Sequence, residues 1–262
     1  MAQSGISVPD QTAGPGKSVT ERAFAVLMSF DMMHRSMTLS QISRRSGLPL
    51  ATTFRLLNHL EGISAVQRDT GGRYAIGPKI WELGILAPTH DVIGMGTRPL
   101  LVRLAAKTNM MVRVFVFNGQ KALCVEEVLA NGASSPRTGP GTVLTLIDSA
   151  VGHILMVQMS QADRVALPLT RTQYSRLEER LAVIGERGWA RRTDDDGDVE
   201  YAVPIYSDGR PPMALSLSTP PSETSVLLRH EPPIDRLIPE LRGVARSIAA
   251  VLSSTREESD HE

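Results

Sequence analysis

The segment between Thr38 and Leu60 restricts the possible folds of this chain more than any other feature of the sequence. Thr38 or Ser40 can cap a short helix, because a hydroxyl oxygen accepts a hydrogen bond from an unpaired amide of the first turn. That helix ends at Gly47, a residue suited to the positive φ of a helix C-terminus. Pro49 follows where a new helix begins, since the first turn does not need its missing amide. The pattern predicts two helices joined by a tight turn.

Further elements are predicted on both sides of this helix pair. Apolar residues recur at helical spacing within 20–33 and predict a first helix; they are Ala23, Phe24, Val26, Leu27 and Phe30. The third helix covers 51–60, with Phe54, Leu57 and Leu60 on its inner face and with Thr52, Thr53, Arg55, Asn58 and His59 on its outer face. Residues 66–68 and 73–76 predict two short strands joined by a Gly-Gly turn. This order of elements predicts a winged helix-turn-helix.

The charge of the chain is unevenly distributed. The 262 residues carry 28 Lys and Arg against 28 Asp and Glu, for a net charge of zero. Residues 17–80 hold nine cations against four anions, whereas residues 81–262 hold 19 against 23. The basic part indicates binding to a polyanion, although a solvated surface gives the same count. The length itself predicts two domains.

The winged helix-turn-helix predicts how this basic part meets double-stranded DNA. Its third helix enters the major groove, and its wing reaches phosphates or the adjacent minor groove. Candidate base contacts are Thr52, Thr53, Arg55 and Asn58; candidate backbone contacts are Arg44, Arg45, Arg68 and Arg73; Ser40 and His59 complete the set. Arg55 alternatively braces the helix, because its neighbours are apolar. The alternative for the whole domain is a winged helix that docks another protein.

Three stretches of this part resemble the IclR-type transcriptional regulators. They are Thr38 to Pro49, Thr52 to Leu60, and Arg73 to Lys79, which is similar to the wing and the start of the linker helix of that family. The resemblance continues over about 18–252. One departure is Leu50-Ala51, where the family usually has Lys-Ser after the proline. The resemblance implies an α+β fold with a winged helix-turn-helix at 18–79, a linker helix at 80–97 and a GAF-like α/β effector and oligomerisation domain at 98–252.

The second half of the chain predicts strands interspersed with helices. Strands are expected at 111–117, 122–125, 201–206 and 213–218, and helices at 144–159, 174–187 and 234–252. By resemblance, the effector site uses Leu146, Ser149, Ala150, Gly152, Asp196, Glu200, Ser216 and Ser218. The period of a strand places Ser216 and Ser218 on one face. Glu200 stands where many members have a small residue or Cys. An acidic pocket would repel a carboxylate unless an arginine compensates, and Arg191 and Arg192 are near in sequence.

Other classes of function lack a signal in the sequence. The single cysteine excludes a disulfide framework and a Cys-rich metal module, and it fits the cytoplasm. The six histidines are scattered without the spacing of metal ligands, and no apolar run is long enough for a membrane span. We expect no catalytic residues, no metal and no cofactor, and disordered tails at 1–17 and 253–262.

The sequence thus predicts a cytoplasmic, ligand-responsive DNA-binding regulator. By resemblance, it would bind a palindromic operator as a homodimer or homotetramer and respond to a small organic effector from aromatic or organic-acid catabolism. The alternative is an enzyme or metabolite-binding protein whose winged helix docks another protein.

Overall fold

A computed structural model describes residues 18–87, 96–129, 139–193, 197–219 and 233–259. The chain divides into two compact units, with the division between Ile85 and Leu86. The predicted tail at 1–17 lies outside the described residues.

The first unit has the predicted order of elements. It contains α1 (Val19–Leu27), β1 (Ser36–Met37), α2 (Leu39–Ser46), α3 (Leu50–Gly62), β2 (Val66–Arg68), β3 (Tyr74–Ile76) and α4 (Pro78–Gly84). The three strands form an antiparallel sheet in the order β1-β3-β2. The winged helix-turn-helix is therefore confirmed, although α1 ends earlier than the predicted range of 20–33.

Local sequence explains the tight turn of the helix-turn-helix. The Thr38 side chain caps α2 and forms a reciprocal capping box with Gln41, whereas Ser40 is the exposed second residue of the helix. Gly47 ends the helix with a φ of 69°, and Pro49 precedes the first residue of α3. The two helices are held by a core that includes fully buried Ile42 and Leu57.

The predicted linker helix differs in its bounds. Gly77 is the N-cap of α4, Pro78 is its first residue and the helix ends at Gly84. Residues 96 and 97 form a turn before the next helix, and 88–95 lie outside the described residues. Of the predicted linker range of 80–97, the described residues are helical only up to Gly84 and turn both after Gly84 and before Arg98.

The second unit is built on a six-stranded antiparallel sheet in the order β6-β5-β4-β9-β8-β7. Its elements are α5 (Arg98–Thr108), β4 (Met111–Phe117), β5 (Ala122–Val128), β6 (Val143–Leu144), α6 (Ala150–Val157), α7 (Gln161–Val165), α8 (Arg171–Arg187), β7 (Ala190–Thr193), β8 (Val199–Ile205), β9 (Met213–Ser218) and α9 (Ile234–Ser259). Helices α5 and α9 pack on one face of the sheet, and α6 and α8 lie on the other. The α+β class is confirmed.

Two boundaries in this unit correct the sequence prediction. The helix expected at 144–159 begins only at Ala150, because Val143 and Leu144 pair with β5 as a short strand. The last helix continues to Ser259, so a disordered tail beginning at 253 is wrong for 253–259. These residues extend α9, the helix whose Ile248 and Leu252 pack in the core against the sheet.

The strand period divides the sheet into an apolar face and a mixed face. Val112, Val114 and Val116 of β4 join the core below α5 and α9. Arg113 and Phe115 point to the opposite face, which α6 covers. The mixed face therefore carries the polar side chains that form the candidate effector site.

Candidate functional sites: the winged-helix surface and the sensor pocket

The outer face of α3 presents polar side chains at helical spacing. Arg55, Asn58 and His59 are exposed as predicted, and Thr52 is half-buried. Within the described part of the chain, the Arg55 side chain makes no hydrogen bond or ion pair, so the structure does not show it bracing the helix. These side chains lie on the helix that a winged helix-turn-helix inserts into the major groove.

Two predicted orientations on α3 are wrong. Thr53 is fully buried, and its Oγ1 donates to the carbonyl oxygen of Pro49 at 3.1 Å. It therefore does not reach a base edge in this arrangement. Phe54, predicted to face inward, is 44% exposed. The buried stripe runs through Thr53, Leu56, Leu57 and Leu60, since spacings of three and four residues follow the 3.6-residue turn better than repeated steps of three.

The candidate phosphate-binding arginines fall into two groups. Arg45 donates from Nε to the carbonyl oxygen of Ser29 at 2.7 Å and pairs with Asp31, so it ties α2 to the segment after α1. Arg73 donates to the backbone of Ser36. Both are thus bound within the unit in this state.

Arg44 and Arg68 differ from these two residues. Arg44 is exposed, and the described residues provide it with no hydrogen bond or ion pair. The Arg68 guanidinium lies 5.3 Å from the centre of the Tyr74 ring, on the two strands that form the wing. Arg44 is therefore the more available cation of α2.

A cavity of about 340 Å³ lies on the mixed face of the sensor sheet, beside the N-terminus of α6. Ser149, Glu200 and Ser218, all predicted from the sequence, line it. So do Arg192, one of the two arginines expected to compensate an acidic pocket, and Arg113, which the sequence analysis did not name. This volume is near the lower end for small-molecule sites, which suits a small ligand.

Strand register explains why these side chains meet. Ser218 of β9 lies between Met111 of β4 and Glu200 of β8, and Glu200 is in turn the cross-strand partner of Arg192. The next row joins Arg113 directly to Ser216. Residues two apart on neighbouring strands therefore form a polar patch across four strands, β4, β9, β8 and β7.

Arg113 is the central buried cation of this patch. It is 7% exposed, and one terminal nitrogen, Nη2, donates to Ser218 Oγ at 3.2 Å and to Glu200 Oε1 at 3.3 Å. Within the described residues, Arg113 Nε and Ser216 Oγ are buried without a hydrogen-bond partner. Such groups are costly to bury unsatisfied, and because Arg113 lines the cavity, a polar ligand is a suitable partner for its Nε. Ser216, predicted as an effector residue, is fully buried beside Arg113 and is not among the described residues that line the cavity. An arginine inside the apolar run Met111 to Phe117 was the signal that sequence reasoning missed.

Glu200 occupies the N-terminus of α6. Its Oε2 accepts a hydrogen bond from the Ala150 amide at 2.9 Å, while its Oε1 faces Arg113. Burial raises the pKa of this carboxyl above its ordinary value, whereas Arg113 and the amides of Ala150 and Val151 act in the opposite direction. The helix end and the arginine thus compensate the charge of a carboxylate that belongs to the chain itself.

Three of the predicted effector residues, Ser149, Leu146 and Gly152, form or support the N-terminus of α6. Ser149 caps α6 by accepting from the Gly152 amide at 2.9 Å. Leu146 is buried, and a Cβ at Gly152 would lie 2.2 Å from its carbonyl oxygen. Leu146 and Gly152 therefore support the α6 N-terminus through packing. Asp196 lies outside the described residues.

Groups of metal ligands and membrane-spanning helices are absent from the described residues. Within the described part of the chain, no group of three His, Cys, Asp or Glu side chains is placed to hold a metal ion. Burial raises the pKa of the Cys124 thiol to about 12. Among the helices described, none combines the length and apolar character that crossing a membrane requires.

Comparison with known protein families agrees with both units. Residues 19–70 match the IclR helix-turn-helix domain, and residues 89–250 match the C-terminal domain of the bacterial transcriptional regulator IclR. The chain belongs to the IclR family. It is thus a transcriptional regulator with a DNA-binding helix-turn-helix and an effector domain, and not an enzyme.

Curated relatives of the IclR family cover most of this chain. The transcriptional repressor AllR of Escherichia coli K12 is 25% identical, with 93% of each chain covered. The transcriptional regulator XynR of the same strain is 25% identical over 76% of this chain and 84% of its own. Both are named as helix-turn-helix regulators, in agreement with the domains described above.

Solved structures show the same fold. An IclR homologue from Microbacterium hydrocarbonoxydans, complexed with 4-hydroxybenzoate, superposes with a TM-score of 0.74 at 22% identity and covers 90% of this chain and all of its own. An IclR-type regulator from Silicibacter gives a TM-score of 0.70 at 22% identity, covering 90% of this chain and 96% of its own.

Proposed function

We propose that this IclR-family regulator binds a palindromic operator as a homodimer or homotetramer in the cytoplasm and controls a catabolic operon of aromatic or organic-acid metabolism. The exposed face of α3 is the observation that carries the proposal. Arg55 and Asn58 can hydrogen-bond to base edges, and one such helix reads only a few base pairs. Two copies related by a twofold axis would read two half-sites.

The surface of α4 supports the oligomer. Trp81 is 69% exposed and Leu83 is 59% exposed on a helix of only seven residues. Pairing of two copies through this helix would remove that apolar surface from water. Sedimentation of the chain with Trp81→Ser and Leu83→Ser should then show a lower oligomeric state than the unchanged chain.

A mobility-shift assay with fragments of genomic DNA tests the DNA-binding proposal. We expect selective retention of a few fragments and weaker binding at higher salt, because Lys and Arg contacts release counterions from DNA. The double change Arg55→Ala and Asn58→Ala should reduce selectivity, whereas Arg103→Ala, an exposed arginine on α5, is the matched control. No retention of any fragment at low salt would contradict the proposal and favour a protein-docking role for the winged helix.

The sensor pocket supplies the candidate site for the effector. The unsatisfied Nε of Arg113, which lines this pocket, supports a polar organic ligand. The Microbacterium homologue is described as a complex with 4-hydroxybenzoate, which supports a small organic effector here. Such a ligand changes operator affinity only if it binds the DNA-competent and DNA-free conformations unequally. Ser218→Ala removes a hydroxyl from the pocket lining, so it should reduce the effect of the ligand on DNA binding while the DNA binding itself persists.

A further inference from the structure

The charge of the sensor pocket differs from that of a site built for an anion. Its lining includes three carboxylates, Asp148, Asp198 and Glu200, against two arginines, Arg113 and Arg192. Arg113 has a further carboxylate beside it, because its cross-strand partner on β5 is the fully buried Glu127. The arginines are therefore outnumbered before any ligand arrives.

The strongest anion-binding position in the pocket is already filled by the chain. The N-terminal amides of α6 carry partial positive charge, and a buried arginine lies on the other side of the same point. The Glu200 carboxylate contacts both, with one oxygen 2.9 Å from the Ala150 nitrogen and the other 3.3 Å from Arg113. A second carboxylate entering here would meet Glu200 as a like charge in a partly buried site.

We propose that Glu200 is a specificity-determining residue: its carboxylate is a built-in occupant of the anion position, so the pocket excludes free carboxylates and takes an uncharged polar ligand. The inference rests on the proposed effector site and names its ligand class. The groups that the described lining leaves for such a ligand are the unsatisfied Arg113 Nε as donor and the carboxylate of Glu200 as acceptor. A small molecule carrying a hydroxyl or amide group matches this set.

Replacement of Glu200 by alanine tests the proposal directly. Glu200→Ala removes a methylene and a carboxylate, which together have the size and charge of acetate. The full chain is melted at pH 7.5 in sodium acetate and in sodium chloride of equal ionic strength. We expect acetate to raise the melting temperature of Glu200→Ala by roughly 2–4 °C in a saturable manner, because a ligand that binds only the folded state stabilises it. The unchanged chain should melt equally in both salts.

Two further variants separate filling of this position from a general salt effect. Asp148→Ala removes a pocket carboxylate that is 67% exposed, so it makes the same change in charge without vacating the α6 N-terminus. Glu200→Gln removes the charge but keeps the space filled. The melting temperatures of Asp148→Ala and Glu200→Gln should be the same in acetate and in chloride. If Glu200→Ala is unfolded in chloride, acetate should restore its cooperative unfolding transition.

Each result decides for or against the inference. Absence of an acetate effect on Glu200→Ala, or an equal effect on Glu200→Gln or Asp148→Ala, would overturn it. So would a rise in the melting temperature of the unchanged chain with acetate, pyruvate or 4-hydroxybenzoate that is as large as the rise for Glu200→Ala. These measurements contain no DNA. Loss of operator binding with an intact acetate response of Glu200→Ala would therefore contradict the proposed function alone. Operator binding without any acetate response of Glu200→Ala would contradict only the role of Glu200.

Discussion

Gly152→Ala is expected to destabilise the sensor unit severely because the new methyl group has no space. A Cβ at this position would lie 2.2 Å from the carbonyl oxygen and 2.4 Å from the Cα of Leu146, both backbone atoms. An ordinary contact would require α6 and the preceding loop to separate by about 1 Å. Overpacking of this kind costs about 1–3 kcal/mol. Loss of the Ser149 cap, which bonds the Gly152 amide, adds about 1 kcal/mol.

The expected total of about 2–4 kcal/mol corresponds to a fall in melting temperature of roughly 5–15 °C. Gly185→Ala is the matched control, since a Cβ there would lie 3.7 Å from a methyl group of Val157, an ordinary contact. Alanine in a helix is favoured over glycine by about 0.5–1 kcal/mol, so the control should be slightly stabilised. Urea unfolding followed by Trp189 fluorescence in a Trp81→Phe background measures the sensor unit. Equal stability of the two glycine variants would refute the reasoning.

Three further predictions concern other parts of the molecule. Leu57→Ala, at a fully buried position in the winged unit, should cost about 2–5 kcal/mol in thermal unfolding; a loss below 1 kcal/mol would contradict the described core. Arg45→Ala should destabilise that unit by about 1 kcal/mol, because it breaks the hydrogen bond to the Ser29 carbonyl oxygen. Arg44→Ala should instead weaken DNA retention with almost unchanged stability. The opposite pattern would make Arg44 the structural arginine and Arg45 the DNA contact. Burial lowers the pKa of His153 below its ordinary 6.5, so the unfolded chain binds more protons than the folded chain and the free energy of unfolding should fall as the pH drops below about 6.5. His153→Gln should reduce this dependence on pH in urea titrations at pH 7.5 and 5.5. An unchanged dependence would exclude this histidine as the cause.

The order of elements in the winged unit could be predicted because its signals are local. A capping threonine, a glycine with positive φ and a proline before α3 each act within a few residues, so their meaning does not depend on the rest of the fold. The orientation of α3 was predicted less well. Phe54 is apolar and exposed while Thr53 is polar and buried, because the packing of α3 against α2 selects the buried stripe and the Thr53 hydroxyl bonds to its own helix.

The sensor site could be predicted in part because strand period and family resemblance can each be recognised within a single segment of the sequence. Ser149, Glu200 and Ser218 were named from their own segments and lie in one pocket. Arg113 was missed because its position beside Ser216 and Ser218 depends on the pairing of β4 with β9, more than 100 residues later in the chain. The pairing of strands that are distant in the chain cannot be predicted from the sequence of either strand alone.

The sequence by itself therefore determined the two-part architecture, the winged helix-turn-helix and the basic character of its surface, since caps, turns and charges are properties of short segments. The tertiary structure decided which arginines are tied within the winged unit and which are free to meet DNA. It also decided that Glu200 fills the α6 N-terminus opposite Arg113. That arrangement exists only when β4, β8, β9 and α6 are packed together, because the carboxylate is stabilised by groups from separate parts of the chain.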